Sequence, residues 1–325
     1  MRNTRTRAPS PDAGPRSPTQ LGGRSWLAAL RRTLTEFQQD SLTVWAAALT
    51  YYGILSLFPG LLVLVAVLGL VSDSLVRDLT DTVLPIVPGP ARDIVDAAVG
   101  NVRTGPAGLA AIIGLVVGFW SASGYVSAFM QASNAIYDVP EGRPIWRKLP
   151  VRLGITAATG ALLVASVLIV VVSGRLAEQF GRLLHLSGVT VTTWSILKWP
   201  VLAVLVSLMF AILYWAAPNV RHGGFRWVTP GGLVAVVLWV VVSLGFGFYV
   251  ANLASYNKTY GALGGVIVFL VWMWLTNLAI LYGAELNAEL ERQRAIAAGL
   301  PRDEEPYMQM KDSRKVEPGD QHDLG

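Results

Sequence analysis

YNKTYGALGGVIVFLVWMWLTNLAILYGAELNA, residues 256–288, is the stretch that decides the fold. It begins with a short polar turn, continues through about twenty apolar residues, and ends with small residues and a carboxylate. At ~1.5 Å per residue, the apolar part is long enough to cross a hydrocarbon core of ~30 Å. The stretch therefore predicts a membrane-spanning helix with a patterned segment at each end.

The composition of the whole chain indicates the same class. Of its 325 residues, 53% are hydrophobic and only 14% are charged, and the mean hydropathy is +0.49. A soluble domain cannot bury that much apolar surface. The chain has no cysteine, which excludes disulfides, thiolate nucleophiles and cysteine-ligated metals. We therefore expect an all-α, polytopic membrane protein.

Six apolar segments are long enough to span, and the basic residues between them predict the orientation. The regions from the N-terminus onward hold 7, 3, 4, 3, 2, 1 and 6 Lys and Arg residues. The regions on the N-terminal side hold 7, 4, 2 and 6 of them and those on the other side 3, 3 and 1, so the positive-inside rule places both termini in the cytoplasm of a six-helix bundle. The predicted spans are roughly 44–71, 107–133, 153–173, 196–217, 231–254 and 262–284.

The segments outside the spans are predicted to be tails and surface helices. Residues 1–23 form a disordered basic tail, and residues 294–325 form a polar tail that is also disordered. Residues 24–43 have apolar positions at three- and four-residue spacing, which predicts an amphipathic interfacial helix or, equally well, a helix packed on another loop. The external loop 72–106 carries two short amphipathic patterns, which predict interfacial helices.

Small residues recur every four positions in two spans. The fifth span has Ser243, Gly247 and Ala251 in one stripe, and the second has Gly124 and Ala128. Such stripes let helix backbones approach closely in lipid, where no hydrophobic force drives helices together. We expect the second and fifth spans to form the tightly packed centre of the bundle.

Polar groups and helix breakers within or beside the spans are the candidates for a cavity or a hinge, because lipid makes them costly. Pro59 predicts a kink in the first span, and Asn277 is the polar group in mid-span that most needs a partner. For Glu285, at the inner interface, we expect an ion pair with an arginine of a cytoplasmic loop; the alternative is proton coupling. The other candidates are Tyr51, Tyr52, Ser56, Asn134, Asn252, Asn257, Tyr260 and Gly261.

The cytoplasmic loops predict lipid as a partner. The loop 137–150 combines Arg143, Arg147 and Lys148 with Trp146, a mixture that suits anionic headgroups at the inner leaflet. No nucleic-acid partner is predicted. The three histidines lie in separate regions, and the chain has neither a GxxxxGK[ST] phosphate loop nor a nucleophile with its base. We therefore predict no catalytic residue, cofactor or metal, and the chain is not expected to be an enzyme.

Several motifs occur together and in a distinctive order. They are AALTYYGILSLFPG at 47–60, Asn134 followed by Arg143-Pro144, Ala217-Pro218-Asn219 leading to Pro230-Gly231, and SYNKTYGALGGVIVFLVWMWLTNLAILYGAELNAE at 255–289. In these motifs the chain resembles the YihY/BrkB family of bacterial inner-membrane proteins over about residues 25–293. The resemblance implies six membrane helices with cytoplasmic termini.

The resemblance also implies a role in the bacterial envelope. Some members of the family are linked to serum resistance, and envelope lipid transport has been proposed for some. The resulting expectation is a transporter or exporter of a lipid or another envelope component. The alternative is a non-transporting membrane scaffold that supports envelope integrity or serum resistance. Members have also carried the label ribonuclease BN, but this sequence supplies no site for a nuclease.

Overall fold

The computed structural model describes residues 14–71, 107–172, 188–252, 262–302 and 307–316. In this part of the chain two single-turn 3₁₀ helices, Pro18–Gln20 and Phe225–Trp227, accompany the α-helices, and the one β feature is an isolated bridge between Val220 and Met310. The predicted all-α class is confirmed. The α-helices are α1 Gly23–Gln39, α2 Leu42–Val71, α3 Ala107–Ile136, α4 Ile145–Val172, α5 Gly188–Ala216, α6 Thr229–Asn252 and α7 Ala262–Ala297.

Four helical segments of the described chain are long and apolar enough to cross a membrane. They are Ile145–Val170, Ile196–Ala216, Phe225–Val250 and Gly264–Ala297, and they include most of the third to sixth predicted spans. The chain is therefore a multi-pass membrane protein. Helices α2 and α3, of 30 residues each, overlap the first two predicted spans, and the total of six spans stays a prediction.

Helices α2 to α7 pack in a ring that follows the order of the chain. Each helix contacts the next, and α7 closes the ring against α2 and also contacts α3. The pair α6 and α7 is antiparallel, because Gly231 lies against Gly283 while Trp272 Nε1 donates to Ser243 Oγ at 3.2 Å. Helix α1 lies outside the ring and packs along α7.

One end of the ring, which we name the polar end, carries most of the buried polar groups. It consists of α1, the loops 137–144 and 217–228, the second half of α7, and the segment 307–316. Both ends of the described chain are found here: Gly14 lies against Arg294 and Ala298, and residues 307–316 cross the two loops.

Packing is dense at the polar end and loose in the other half of the ring. In α7, fourteen of the sixteen residues 277–292 are buried, so neighbours surround this helix on every side. A helix packed within a bundle normally buries a residue every three or four positions. Yet none of the described residues in four segments is buried. These segments, which we name the loose half, are 157–170, 196–209, 236–250 and 265–276.

The closest helix crossing does not lie at the predicted stripe of small residues in the fifth span. A Cβ atom added to Gly247 would meet no atom within 4 Å, so the stripe of the fifth span is not tightly packed there. The close crossing is at Gly231 and Gly283. A Cβ atom on Gly283 would meet the Tyr214 hydroxyl at 2.7 Å and the Ala235 Cβ at 2.9 Å. Spacing along one helix cannot reveal a crossing that depends on glycines facing each other on two.

Both tails that composition predicts as disordered contain packed residues. Leu21 is buried in the N-terminal segment, and helix α7 continues to Ala297 instead of ending near residue 284. Tyr307 and Met308 are buried as well. These segments carry too few apolar residues to fold alone, but they pack against a surface that the ring provides. The helix α1 packs on the helix α7 and not on a loop, and its position at a membrane interface stays a prediction.

Candidate functional site

Asn277 lies where the loose half of α7 meets its buried half. The Tyr125 hydroxyl donates to Asn277 Oδ1 at 2.8 Å, and Asn277 Nδ2 donates to Thr50 Oγ1 at 3.0 Å. The Thr50 hydroxyl in turn donates to the Ala46 carbonyl at 2.8 Å. A polar network therefore joins α7, α2 and α3. We name Thr50, Tyr125 and Asn277 the polar floor.

The helices approach each other closely beside the polar floor. A Cβ atom on Gly53 of α2 would meet Met273 Cε at 2.5 Å and the Tyr125 ring at 3.8 Å. A side chain at position 53 would therefore require the flexible end of Met273 to shift. The polar floor and this contact lie at the boundary between the loose half and the polar end.

Sequence patterns predict Asn277 as a site residue but miss its two partners. Thr50 and Tyr125 each carry a hydroxyl in an apolar segment, where an unpaired polar group is costly, and this signal is present in the sequence. Their contacts with Asn277 join positions 227 and 152 residues apart, respectively. Only the fold brings them together.

The predicted lining residues of α2 do not join the polar floor. Tyr51 and Tyr52 are 61% and 39% exposed, and their rings meet edge-on with centroids 5.4 Å apart. The Ser56 hydroxyl donates to the Gly53 carbonyl at 2.8 Å, and α2 remains helical through Pro59. The predicted positions Asn257, Tyr260 and Gly261 lie outside the described residues. Asn252 ends α6, and its side chain is not described.

Asn134, another predicted lining residue, organises the polar end instead. Its Oδ1 accepts from the Asn219 backbone N–H at 2.8 Å, and its Nδ2 donates to Glu141 at 3.2 Å. The Asn219 side chain then holds the segment 307–316. Its Nδ2 donates to the Asp312 carbonyl at 2.7 Å, and its Oδ1 accepts from the Asp312 N–H at 3.1 Å. Asn134 and Asn219 thus bind two loops and the C-terminal segment into one unit.

The basic residues of loop 137–150 take part in the same unit. Arg143 is buried; its Nε donates to Glu141 at 2.7 Å, and its Nη2 donates to the Ala217 carbonyl at 2.8 Å. Arg147 pairs with Asp312 at 3.1 Å. Burial alone would raise the pKa of Glu141, but the hydrogen bonds and charge of Arg143 outweigh burial and lower this pKa. We name Asn134, Glu141, Arg143, Asn219 and Asp312 the loop clamp.

Lys311 fixes the C-terminal segment from its other side. Its Nζ donates to the carbonyls of Trp215 at 2.8 Å and Pro218 at 3.1 Å. Burial and the nearby charge of Arg143 lower the pKa of Lys311 to about 8, although Glu291 acts in the opposite direction. The amine therefore titrates closer to neutral pH than an ordinary lysine does.

The buried half of α7 carries carboxylates whose partners differ from expectation. Glu285 is 1% exposed and is not hydrated at an interface. Asp40 hydrogen bonds to it, and Glu289 and Glu36 lie close by. The arginine contact predicted for Glu285 occurs one turn further on, where Arg32 Nε donates to Glu289 at 2.9 Å.

A histidine and a glutamate form a second buried contact on α7. His222 Nδ1 lies 3.1 Å from both carboxylate oxygens of Glu291, and both side chains are fully buried. The Tyr137 ring meets the His222 ring edge-on at 5.5 Å. Within the described ranges, no group of three or more His, Asp and Glu residues is arranged to hold a metal ion.

Comparison with known proteins identifies relatives over most of the chain. The family described as "Virulence factor BrkB" matches residues 33–307, which include the polar floor and all of the loop clamp except Asp312. The protein named "Putative ribonuclease-like protein YfkH" of Bacillus subtilis (strain 168) is 32% identical over 283 residues, which are 85% of this chain and 96% of the relative.

Two further relatives are longer than this chain. A "UPF0761 membrane protein" of Alkalilimnicola ehrlichii is 30% identical over 87% of this chain, and one of Xanthomonas campestris pv. campestris (strain B100) is 28% identical over 85%. The match spans 64% of the length of each. No solved structure matches the chain. From the family match and these relatives together, the chain belongs to the BrkB family of membrane proteins.

Proposed function

We propose that this protein is a transporter or exporter that moves a lipid or another amphipathic envelope component across the bacterial inner membrane. In this proposal the polar end and both termini face the cytoplasm, and the loose half opens toward the other side. The observation that carries the proposal is the uneven packing of the ring, which is dense at the polar end and loose beyond Asn277.

A transporter must expose its binding site to one side of the membrane while it is closed to the other. In this proposal the substrate lies between the helices of the loose half, and the polar floor forms the cytoplasmic end of its site. Apolar side chains of α4 to α7 suit an acyl chain, whereas the hydroxyl and amide groups of Thr50, Tyr125 and Asn277 suit a polar headgroup. The combination fits an amphipathic substrate better than a hydrophilic solute or a purely apolar one.

The distribution of charge supports the proposed orientation. Lys and Arg are more numerous in the regions on the N-terminal side of the spans, which the positive-inside rule assigns to the cytoplasm. Trp146 and Arg147 have exposed side chains at the polar end, where they can contact anionic headgroups of the inner leaflet. We propose no enzymatic activity, because burial keeps Glu285, Glu289 and Glu291 away from water and from RNA.

The absence of cysteine permits a direct test of the opening with single introduced cysteines. Ser243 faces α7, where it accepts a hydrogen bond from Trp272, whereas its neighbour Leu244 is 71% exposed on the outside of the ring. A membrane-impermeant thiol reagent needs a hydrated thiolate. We expect it to label Ser243→Cys from one side of the membrane and to leave Leu244→Cys unlabelled in lipid. Equal labelling of both, or none of either, contradicts the proposed opening.

Transport itself is tested with purified protein in liposomes that contain fluorescent phospholipids. We expect the labelled lipids to move between leaflets faster than in empty vesicles. The second candidate, a non-transporting scaffold, is favoured by the loop clamp, which holds the polar end in one arrangement. A labelled Ser243→Cys variant with no lipid movement, tested over several headgroup classes, would support the scaffold and overturn the transporter. Cleavage of RNA by the purified protein would contradict the proposal that it is not an enzyme.

A further inference from the structure

Arg152 of α4 lies at the level where the apolar part of its helix begins. No charged residue follows it from Leu153 to Val172, the last residue of α4. By hydropathy, Arg152 therefore lies where the hydrocarbon core meets the headgroup region, on the side of the polar end. A charge at this depth is costly unless a partner neutralises it. Among the residues that the structure describes, no carboxylate interacts with Arg152.

The guanidinium group of Arg152 is held in place by α3. Its Nε donates to the Ser123 carbonyl at 2.7 Å, and its Nη2 donates to Ser123 Oγ at 2.5 Å. The buried Ser123 hydroxyl donates in turn to the Trp120 carbonyl at 2.6 Å. The two bonds to Ser123 use two of the five N–H donors of an arginine. They orient the guanidinium group without neutralising its charge.

Two aromatic side chains flank this guanidinium group. It lies over the Trp120 ring, 5.1 Å from the centroid, and Tyr52 of α2 is close enough to interact with it electrostatically. A Cβ atom on Gly124 would meet the Tyr52 ring at 3.4 Å. Trp120 and Gly124 are four residues apart and share a face of α3, so the two aromatic side chains lie on the same face. We name Tyr52, Trp120, Ser123 and Arg152 the arginine cleft.

The arginine cleft lies on the outer surface of the ring. Tyr125 faces α7 across the ring, where it donates to Asn277. At about 100° per residue, Trp120 lies roughly 140° around α3 from Tyr125, and it is 56% exposed. Val116 and Val117 are also exposed, one turn from Trp120 on the side away from the polar end. The outer surface therefore presents a cation beside an apolar patch, at the depth where a lipid headgroup meets its acyl chains.

From these contacts we infer that the arginine cleft binds the phosphate of an anionic phospholipid. Guanidinium forks match the geometry of phosphate oxygens, and basic pockets between membrane helices suit such headgroups. The phosphate contacts Arg152, and an acyl chain lies along Val116 and Val117. An ammonium headgroup such as choline finds no carboxylate among the described residues around Arg152. The inference does not rest on transport, because the cleft lies outside the ring and shares no residue with the polar floor.

The test compares loss of charge in the arginine cleft with loss of charge elsewhere. Arg152→Gln removes the cation. Trp120→Leu removes the aromatic ring and keeps both bonds between Arg152 and Ser123, so it tests the site even if Arg152→Gln does not fold. Arg31→Gln is the control, because Arg31 is exposed on α1. Native mass spectrometry of the full chain in neutral detergent measures the dissociation constant of the first bound phosphatidylglycerol, phosphatidylcholine or glycerol 3-phosphate.

We expect Arg152→Gln to weaken phosphatidylglycerol binding about tenfold, because hydrogen bonds to a charged group are lost. Trp120→Leu should weaken it roughly twofold to fivefold, and Arg31→Gln less than about twofold. The wild type should prefer phosphatidylglycerol over phosphatidylcholine. The thermal midpoint of each variant without added lipid identifies misfolding.

Three results overturn the inference. The first is equal binding of the two lipids by the wild type. The second is an effect of Arg152→Gln, or of Trp120→Leu where Arg152→Gln does not fold, that is no larger than the effect of Arg31→Gln. The third is binding of glycerol 3-phosphate as tight as that of phosphatidylglycerol, which would assign the cleft to a soluble phosphate and not to a lipid.

Discussion

Asn277 joins three helices through one side chain, because it accepts from Tyr125 of α3 and donates to Thr50 of α2. In a membrane, hydrogen bonds between helices contribute on average about 0.6 kcal/mol each, with the largest near 1.7 kcal/mol. The network therefore stabilises the protein only modestly, but it lies at the boundary between the loose half and the polar end.

Replacement of Asn277 by Leu keeps a similar volume and removes both contacts. The Tyr125 hydroxyl loses its acceptor, so we expect the free energy of unfolding to fall by about 1–3 kcal/mol. Chemical unfolding in mild detergent measures this change. Gln131→Leu is the control, because Gln131 is exposed and donates only to the Ser127 carbonyl of its own helix, at 3.2 Å; its effect should stay within about 0.5 kcal/mol. An equal decrease in the free energy of unfolding for both variants would show that the polar floor does not stabilise the protein more than an exposed polar residue does.

Glu141 gives the loop clamp a dependence on pH. Its pKa is lowered in the folded protein from an ordinary value of 4.5, so the unfolded chain binds its proton more readily. The stabilisation is therefore complete above pH 4.5 and is lost as the pH falls through the lowered pKa. We expect proteolysis of the loops 137–144 and 217–228 to accelerate over that acidic range. Glu141→Gln should be cleaved faster at pH 7 and should lose the acid-dependent step; an unchanged step would exclude Glu141 as its source.

At the scale of the helices, α7 illustrates what the sequence could and could not predict. Hydropathy identifies α7 as a helix long and apolar enough to cross a membrane, because about twenty apolar residues in a row have few alternatives. Its continuation to Ala297 is missed, because Glu285, Glu289 and Glu291 indicate a hydrated end. Those carboxylates are buried because α1, two loops and the segment 307–316 surround them. The local composition of α7 does not predict contacts with segments so distant in the sequence.

The loops of the polar end likewise contain residues that the sequence identifies and contacts that it does not predict. The resemblance to a family identifies Asn134, Arg143 and Asn219 as motif residues. It does not reveal which hydrogen bonds they form. Asn219 meets Asp312 across 93 residues, and the acidic, polar composition of the last thirty residues or so suggests no folded partner. Sequence patterns do not predict hydrogen bonds between residues that are this far apart in the chain.

The crossing of α6 and α7 depends on two facing glycines. Gly283→Ala would place its Cβ against the Gly231 carbonyl, the Tyr214 hydroxyl and the Ala235 Cβ. We expect the helices to separate and the thermal midpoint to fall, at a cost of about 1–3 kcal/mol. Gly265→Ala on the same helix is the control, because a Cβ there meets no atom within 4 Å. A Gly283→Ala variant as stable as Gly265→Ala would show that the backbones are not in contact.

At the scale of the whole molecule, four separate parts of the chain close the polar end: α1, the two loops and the segment 307–316. The C-terminal segment is attached by the bridge of Val220 with Met310, by the bonds of Asn219 to Asp312, and by Lys311. Apart from the bond of Lys311 to the Trp215 carbonyl near the end of α5, these contacts involve the loop 217–228 and not a span. The helices of the ring and the cover of the polar end are thus separable in principle.

Deletion of residues 303–325 tests this separation. We expect helix content by circular dichroism to decrease only slightly, whereas loops 137–144 and 217–228 become susceptible to protease because Asn219 and Arg147 lose their partners. Deletion of residues 317–325 alone retains those contacts and serves as the control. Equal protease sensitivity of the two truncated proteins would show that the segment 307–316 does not protect the loops.

The bonds between Asn219 and Asp312 also impose an order on the making of the protein. A ribosome synthesises residues 307–316 after every helix that the structure describes, so the Asn219 side chain cannot bond to Asp312 until that part of the chain has been made. Their final bonds form only on a chain whose ring is complete. We expect a chain that ends before residue 312 to lack these contacts and to leave its loops more accessible than those of the complete chain.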